Sequence, residues 1–366
     1  MKASWKQALA IARKELGAYF GSPMALIFVG AFLIATLFAF FWAETFFANN
    51  VATVRPLFRW MPILLIFLVA ALTMRQWSEE QRAGTLEVLL TLPVRPAALV
   101  FGKFLAVMAL VVLSLGLTVF LPITVSLLGN LDWGPVIGGY LAAILMAAAY
   151  TAIGLYISSR TDNQIVSLLL TALIGGALYL VGTPGVTRLF GDTVGQILRS
   201  VGTGSRFESI ERGVIDLRDL LYYLSLAAFF MILNIGSLNS KRWGHGSSNA
   251  GRRWNAVVRL VLVGANLLAL NAWVFPLARL RADITADQEY SLSATTRSLI
   301  RSLDEPLLMR GYFSERTHPL LAPLTPTLRD IMSEYQIASN GNIKVEFVDP
   351  TSDPDAEAEA NEVYSI

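Results

Sequence analysis

Few residues in this chain have the types and spacing to do chemistry. The two histidines, His245 and His318, stand about seventy positions apart, and there is no cysteine. A shared histidine metal site is therefore not credible, and thiolate sites, disulfides and cysteine nucleophiles are excluded. No paired carboxylates or serine–histidine arrangement stands out, and no cluster of ionisable residues lies within an apolar run, where proton or ion coupling would place it. The densest charge beside apolar residues falls instead in one segment, Arg75 to Pro96. Glu79, Glu80, Arg82 and Glu87 cluster there, Gly84-Thr85 precedes Leu86 to Leu90, and Pro93 follows. Thr85 is placed to cap a short helix that Pro93 stops. Such a helix has polar caps and an apolar side suited to a groove in a partner protein, so its chemistry is docking rather than catalysis. An ordinary solvated connection between two spans is the other reading of the same residues.

The elements that position this segment are set by composition. Hydrophobic residues make up 54% of the 366 and charged residues only 15%, with mean hydropathy +0.54. Soluble domains carry about 25% charged residues, so a membrane protein is indicated. A bilayer core needs about 20 apolar residues per helix. Seven stretches qualify: Met24 to Trp42, Met61 to Met74 (with a start as early as Val54), Val100 to Leu128, Val136 to Ile157, Gln164 to Val181, Asp219 to Leu238 and Trp254 to Leu277. Pro122 should kink or end the third. Ahead of them, Trp5, Leu9, Ala12, Leu16 and Tyr19 recur at helical spacing with Lys6 and Arg13 on another face, which predicts a helix lying in the membrane interface over 1–22. A cytoplasmic extension of the first span is the alternative. Asn234, Asn266 and Asn271 lie within spans and are expected to hydrogen-bond between helices, with lining a path for cargo as the other reading, and the Gly and Ala residues of Gly138 to Gly154 to allow close packing rather than to form a pore.

Lys and Arg are distributed thirteen to one side of these spans and seven to the other, which predicts a cytoplasmic N-terminus. The connection from Gly182 to Arg218, read as an outside loop, is basic, but Asp192, Glu208, Glu211 and Asp216 offset most of that charge. After the seventh span the composition turns acidic, with 15 Asp or Glu against 8 Lys or Arg from Ala278 to Ile366. A helix is expected around Ser293 to Leu303, a strand around Leu307 to Tyr312, a helix around Leu324 to Ile337 and a strand around Ile343 to Val348. This alternation implies an α/β domain on a parallel or mixed sheet, extracytoplasmic and apparently incomplete. The fold class expected is thus an all-α polytopic membrane domain followed by an extracytoplasmic α/β domain. The divisions are an interfacial helix (1–22), six spans (23–240) with a coupling helix near 79–93, a cytoplasmic linker (241–253), a seventh helix (254–277) and the terminal domain (278–366). A net charge of +2 says little about partners, and no nucleic acid is expected among them.

Glu79-Glu80, Gly84-Thr85-Leu86-Glu87, Leu89-Leu90, Pro93 and Gly102-Lys103 resemble the coupling region of type 2 ABC exporter permeases. Phe207 to Ile215, with Gly213, Arg218, Asp219, Tyr222 and Tyr223, resembles the stretch before the sixth span of that family. The resemblance covers about Lys2 to Arg242. It implies a permease subunit in the bacterial inner membrane, with Glu79, Glu80, Arg82, Gly84, Thr85, Leu86, Glu87, Leu90 and Pro93 passing on the stroke of a separate ATPase. Two permease and two ATPase chains are then expected, ATP and Mg being held by the partner and no cofactor by this chain. Consistent with that, Gly102-Lys103 is followed by Phe104, and Ala97 stands where a phosphate loop would need its first glycine. Asp283 to Ser293, Tyr312-Phe313-Ser314, Leu328 to Tyr335 and Ile343 to Pro350 resemble the N-terminal part of the auxiliary protein of gliding-motility-type ABC systems, here fused to the permease. A non-transporting scaffold for a surface complex is the competing reading, and a membrane enzyme acting through the terminal domain is the third.

Overall fold

A computed structural model of the chain describes residues 2–44, 52–183, 191–242, 250–274, 281–286, 291–303, 305–313, 324–339 and 342–348, with a few single positions beside them. It divides into two compact units, Met1–Ile284 and Thr285–Ile366.

The first unit is helical. Helix α1 (Lys2–Phe20) ends two residues before α2 (Pro23–Phe38), which opens on proline and continues through a π-helical turn, Ala39–Ala43. Next come α3 (Arg55–Thr73), the short α4 (Ser78–Arg82) and α5 (Thr85–Thr91), then α6 (Pro96–Thr118) and α7 (Phe120–Leu128). The break at Val119 lies where the ring of Pro122 would meet the carbonyl four residues earlier, that of Thr118. Helix α8 (Trp133–Ser158) is capped by Asp132, which accepts from Gly134 N at 2.8 Å, and α9 (Gln164–Val181) by Asn163, which accepts from Ile165 N at 2.9 Å. The stretch read as an outside loop contains α10 (Gly191–Val201), α11 (Thr203–Glu211) and β1 (Val214–Asp216). The long helices α12 (Leu217–Arg242) and α13 (Ala250–Val274) follow, then β2 (Arg281–Asp283). Among the described residues, seven helical stretches are long and apolar enough to cross a membrane.

Helix α8 is the spindle of this unit. It is apolar all round and buried nearly all round, packed by α3, α6, α9, α11 and α12, as a helix without a polar face must be. Small residues set how close the neighbours come. A Cβ on Gly138 would lie 2.2 Å from Ile210 O, and one on Gly154 2.1 Å from Thr73 Oγ1. Helix α13 packs along α12, where Asn271 Nδ2 donates to Ser225 Oγ at 2.8 Å. The other two span asparagines depart from the expected interhelical bonding: Asn266 bonds Leu262 O within its own helix, and Asn234, fully buried, has no partner at Oδ1 or Nδ2 among the described residues. Strand β2 pairs antiparallel with β1, Ile215 opposite Ala282, so the chain beyond α13 returns to the end of the bundle where α12 begins.

The second unit contains α14 (Ala294–Arg301), β3 (Leu307–Tyr312), α15 (Leu324–Ala338) and β4 (Ile343–Val348). Strands β3 and β4 are parallel, in register from Leu307 opposite Ile343 to Tyr312 opposite Val348. Parallel neighbours need a crossover, and α15, packed on β4, supplies it.

Candidate functional site

Between α3 and α6 the chain runs along the end of the bundle rather than out into solvent. Ser158, the last residue of α8, accepts hydrogen bonds at Oγ from Trp77 N (3.0 Å) and Ser78 N (3.2 Å) and donates to Met74 O (3.1 Å). It thereby satisfies donors that the start of α4 would otherwise leave orphaned. Gln81 Nε2 donates to Ser158 O and Thr161 O at 2.9 and 3.2 Å, and Lys241 of α12 donates to Gln81 Oε1. Helix α4 is in this way fastened to the ends of α8 and α12.

The single coupling helix expected from the sequence is two, separated by Gly84 at φ +69, a left-handed conformation that glycine adopts without steric cost. Thr85 does not cap α5. It is the first helical residue, and its hydroxyl donates to Glu80 O at 3.3 Å. Leu86 and Leu90 are buried against Trp77, Leu99, Val100, Leu155 and Leu238, so the apolar side expected to enter a partner's groove anchors α5 to its own bundle instead. What remains outward is a mixed ridge of Arg82, Thr85, Glu87, Val88, Leu92 and Pro93. Glu79 is also outward, paired with Arg75 at 3.2 Å.

Glu80 points the other way. Its Oε1 lies 3.0 Å from Lys103 Nζ, which also meets Glu15 Oε1 at 3.1 Å and Gln76 Oε1 at 3.2 Å, 4.8 Å from the Trp77 ring centre. Lys103 is 2% exposed. All three ammonium hydrogens are used, and α1, α4 and α6 meet at one charge. Gln76 Nε2 donates to Tyr19 OH at 2.7 Å, and that hydroxyl donates to Leu72 O. Burial raises the Tyr19 phenol above its ordinary pKa, against the pull of the Gln76 hydrogen bond, so it stays a neutral donor. The face of α1 that packs inward is Ala8, Ala12, Glu15 and Tyr19, whereas Trp5 and Leu9, expected on the same apolar face, are exposed. Sequence placed Lys103 in the coupling-region motif and Tyr19 on the N-terminal helix, but assigned neither of them, nor Gln76, a role in the site. The usable signal was a lone lysine inside the apolar run from Ala97 to Leu128, which in a membrane helix calls for a partner.

The second motif lies at the other end of α8, about 30 Å away at the helical rise from Gly138 to Ser158. Phe207 and Ile210 of α11 are buried in the main core. Gly213, at φ +90, turns the chain into β1, and its carbonyl accepts from Ile284 N at 2.9 Å. Arg218 pairs with Asp216, and Arg206 NH1 donates to Asp219 Oδ1 at 2.8 Å while its guanidinium stacks 4.1 Å above the Tyr222 ring. Tyr222 donates to Val201 O, Tyr223 to Thr203 O at 2.7 Å, and Tyr150 OH bonds Thr203 Oγ1 at 2.7 Å. These bonds fasten α11 to α8 and α12, with Arg206 Nε alone of the named groups buried without a partner among the described residues. Among the described residues no cluster of His, Asp and Glu is built to hold a metal ion.

Two family models match the chain. One, described as ABC-2 family transporter protein, matches residues 9–278, and the other, a domain of unknown function (DUF7088), matches residues 286–366. No curated protein matches it. With the first match spanning more than half of the chain and seven helices fit to cross a bilayer, the chain belongs to the ABC-2 transporter family, as a multi-pass membrane subunit of an ABC transporter.

Proposed function

We propose that the chain is the permease half of an ATP-driven exporter, working as a dimer with two copies of a separate ATPase that binds ATP and Mg. The ridge of α4 and α5 is the docking surface, through Glu79, Arg82, Thr85, Glu87, Val88 and Pro93. Gly84 sets the angle between the two helices, and Leu86, Leu90 and Glu80 carry the displacement inward. The observation that carries this reading is two-sidedness: the same fourteen-residue stretch, Ser78–Thr91, is outward on one side and bonded into α1, α6, α8 and α12 on the other. A surface loop needs no such anchoring, whereas a lever does. On this reading α4 and α5 face the cytoplasm from a bacterial inner membrane, in agreement with the excess of Lys and Arg on that side. The divisions proposed are those at 22, 240, 253 and 277, and the terminal domain is an extracytoplasmic auxiliary domain like that of gliding-motility-type systems.

The test is capture of an ATPase from cells making the full chain, comparing wild type with Glu87→Arg. Glu87 is exposed on α5, so the charge reversal leaves the fold intact. Capture by wild type and its loss in the variant are expected. If neither captures an ATPase, the exporter reading fails and a scaffold role, with partners sought on the terminal domain, replaces it.

A further inference from the structure

Helix α1 has three sectors. Its inward sector, Ala8, Ala12, Glu15 and Tyr19, packs against α6, where Gly102 lets the backbone of Ala8 and the side chain of Ile11 come close. At 3.6 residues per turn, Trp5, Leu9, Leu16 and Phe20 fall within about 60° of arc next to it. Trp5, Leu9 and Phe20 are 54, 40 and 52% exposed. Beyond them lie Arg13 and Lys6, both exposed, and then Lys14. The sole acid of α1, Glu15, is turned inward to Lys103, with Lys14 Nζ 3.9 Å from it. Neither Lys6 nor Arg13 has an acidic partner among the described residues.

The depth of this helix is set by its neighbours. It ends two residues before the first span begins at Pro23, and the Trp5 ring lies 5.6 Å from that of Phe101, in the second turn of α6, which in turn stacks on Phe104 at 6.1 Å. Helix α1 thus meets the spans near their ends, beside the start of the first at Pro23 and the start of the third at Pro96, where a bilayer's apolar core gives way to its headgroups.

We infer that α1 carries a binding site for anionic phospholipid, whose acyl chain lies on Trp5, Leu9 and Phe20 and whose phosphate and charged headgroup meet Lys6 and Arg13. A free phosphate would use only the cations. An amphiphile uses both adjoining sectors, and a negative headgroup matches a surface with unpaired cations and no outward acid.

The test is lipid retention by the full chain. The protein is reconstituted in equal parts phosphatidylglycerol and phosphatidylcholine, re-extracted in mild detergent, and the retained lipids are counted by mass spectrometry. Each basic side chain near a bilayer surface is worth a factor of about five in favour of an anionic lipid. Wild type is expected to enrich phosphatidylglycerol accordingly, Lys6→Gln/Arg13→Gln to retain the two lipids about equally, and Lys6→Arg/Arg13→Lys to restore the preference. Trp5→Ala is expected to lower phosphatidylglycerol retention, and inorganic phosphate not to compete. A wild type without preference, a double glutamine variant that keeps it, or displacement by inorganic phosphate would each overturn the inference. Because Lys6 and Arg13 are exposed, an unchanged thermal unfolding profile separates loss of lipid from loss of fold.

Discussion

Lys103→Met removes the ammonium on which α1, α4 and α6 converge and keeps an unbranched side chain of similar length. Two carboxylate contacts, at 3.0 and 3.1 Å, are lost. At an effective dielectric of about 20 each is worth about 5 kcal/mol of Coulomb attraction, most of it offset by the desolvation of three ions. What decides the outcome is the state left behind. Glu15 and Glu80 have side chains only 13 and 18% exposed, and without Lys103 the one cation left beside them among the described residues is the solvent-exposed Lys14, 3.9 Å from Glu15. Breaking a buried pair in this way costs about 3–5 kcal/mol, or a fall in unfolding temperature on the order of 10 °C. The assay is thermal unfolding of the purified full chain in detergent, followed by tryptophan fluorescence. The triple variant Lys103→Met/Glu15→Gln/Glu80→Gln is expected to recover most of the loss, because it removes the stranded charges as well. An unchanged single variant, or a triple variant no more stable than the single, would refute the argument that burial of these charges governs the site.

Three smaller changes separate other parts of the reasoning. Gly84→Ala meets open space but must hold φ +69, at about 1–2 kcal/mol; it is expected to weaken ATPase capture while every ridge residue stays in place, and full capture would show that the break between α4 and α5 is immaterial. Gly138→Ala puts a methyl 2.2 Å from the Ile210 carbonyl, an overpacking worth about 1–3 kcal/mol that should appear as a lowered unfolding temperature. Asn234→Leu replaces a fully buried amide whose two polar atoms have no partner among the described residues, so stability should rise by about 1 kcal/mol; a fall would show that this amide is bonded in the folded chain.

The seven spans were legible because a bilayer demands long apolar runs, and the α14–β3–α15–β4 order because hydrophobic period and turn residues changed together. Side-chain direction was not. Leu86 and Leu90 read as an apolar face, but periodicity alone does not say whether that face meets a partner or the parent bundle; Trp77, Leu155 and Leu238, far apart in sequence, decide it. In α1, Trp5 and Tyr19 share a helical repeat, yet the small residues Ala8 and Ala12 allow close contact with Gly102 of α6, and the packed face rotates toward them. The segment before α12 was read as loop because it is polar and basic. It folds because Arg206, Asp216, Arg218 and Asp219 pair with one another, and Phe207 and Ile210 find places in the core.

A buried charge cluster is a poor way to gain stability, since apolar residues of equal volume often hold a core as well or better. The Lys103 cluster joins α1, α4 and α6 at a point where apolar contacts already hold the neighbouring chain. What the charges add is register: one ammonium with three hydrogens is satisfied only when Glu15, Glu80 and Gln76 all arrive, so a shift of α4 relative to α6 leaves a charge unpaired. A displacement at α4 then has two routes, to carry α1 and α6 with it or to strand a buried carboxylate, and the second is the more costly. The triple neutral variant tests this directly. It is expected to fold and to capture the ATPase as wild type does, yet to transmit less of the stroke, measured as a lowered transport-to-hydrolysis ratio. A ratio equal to that of wild type would show that apolar contacts alone hold the three helices in step.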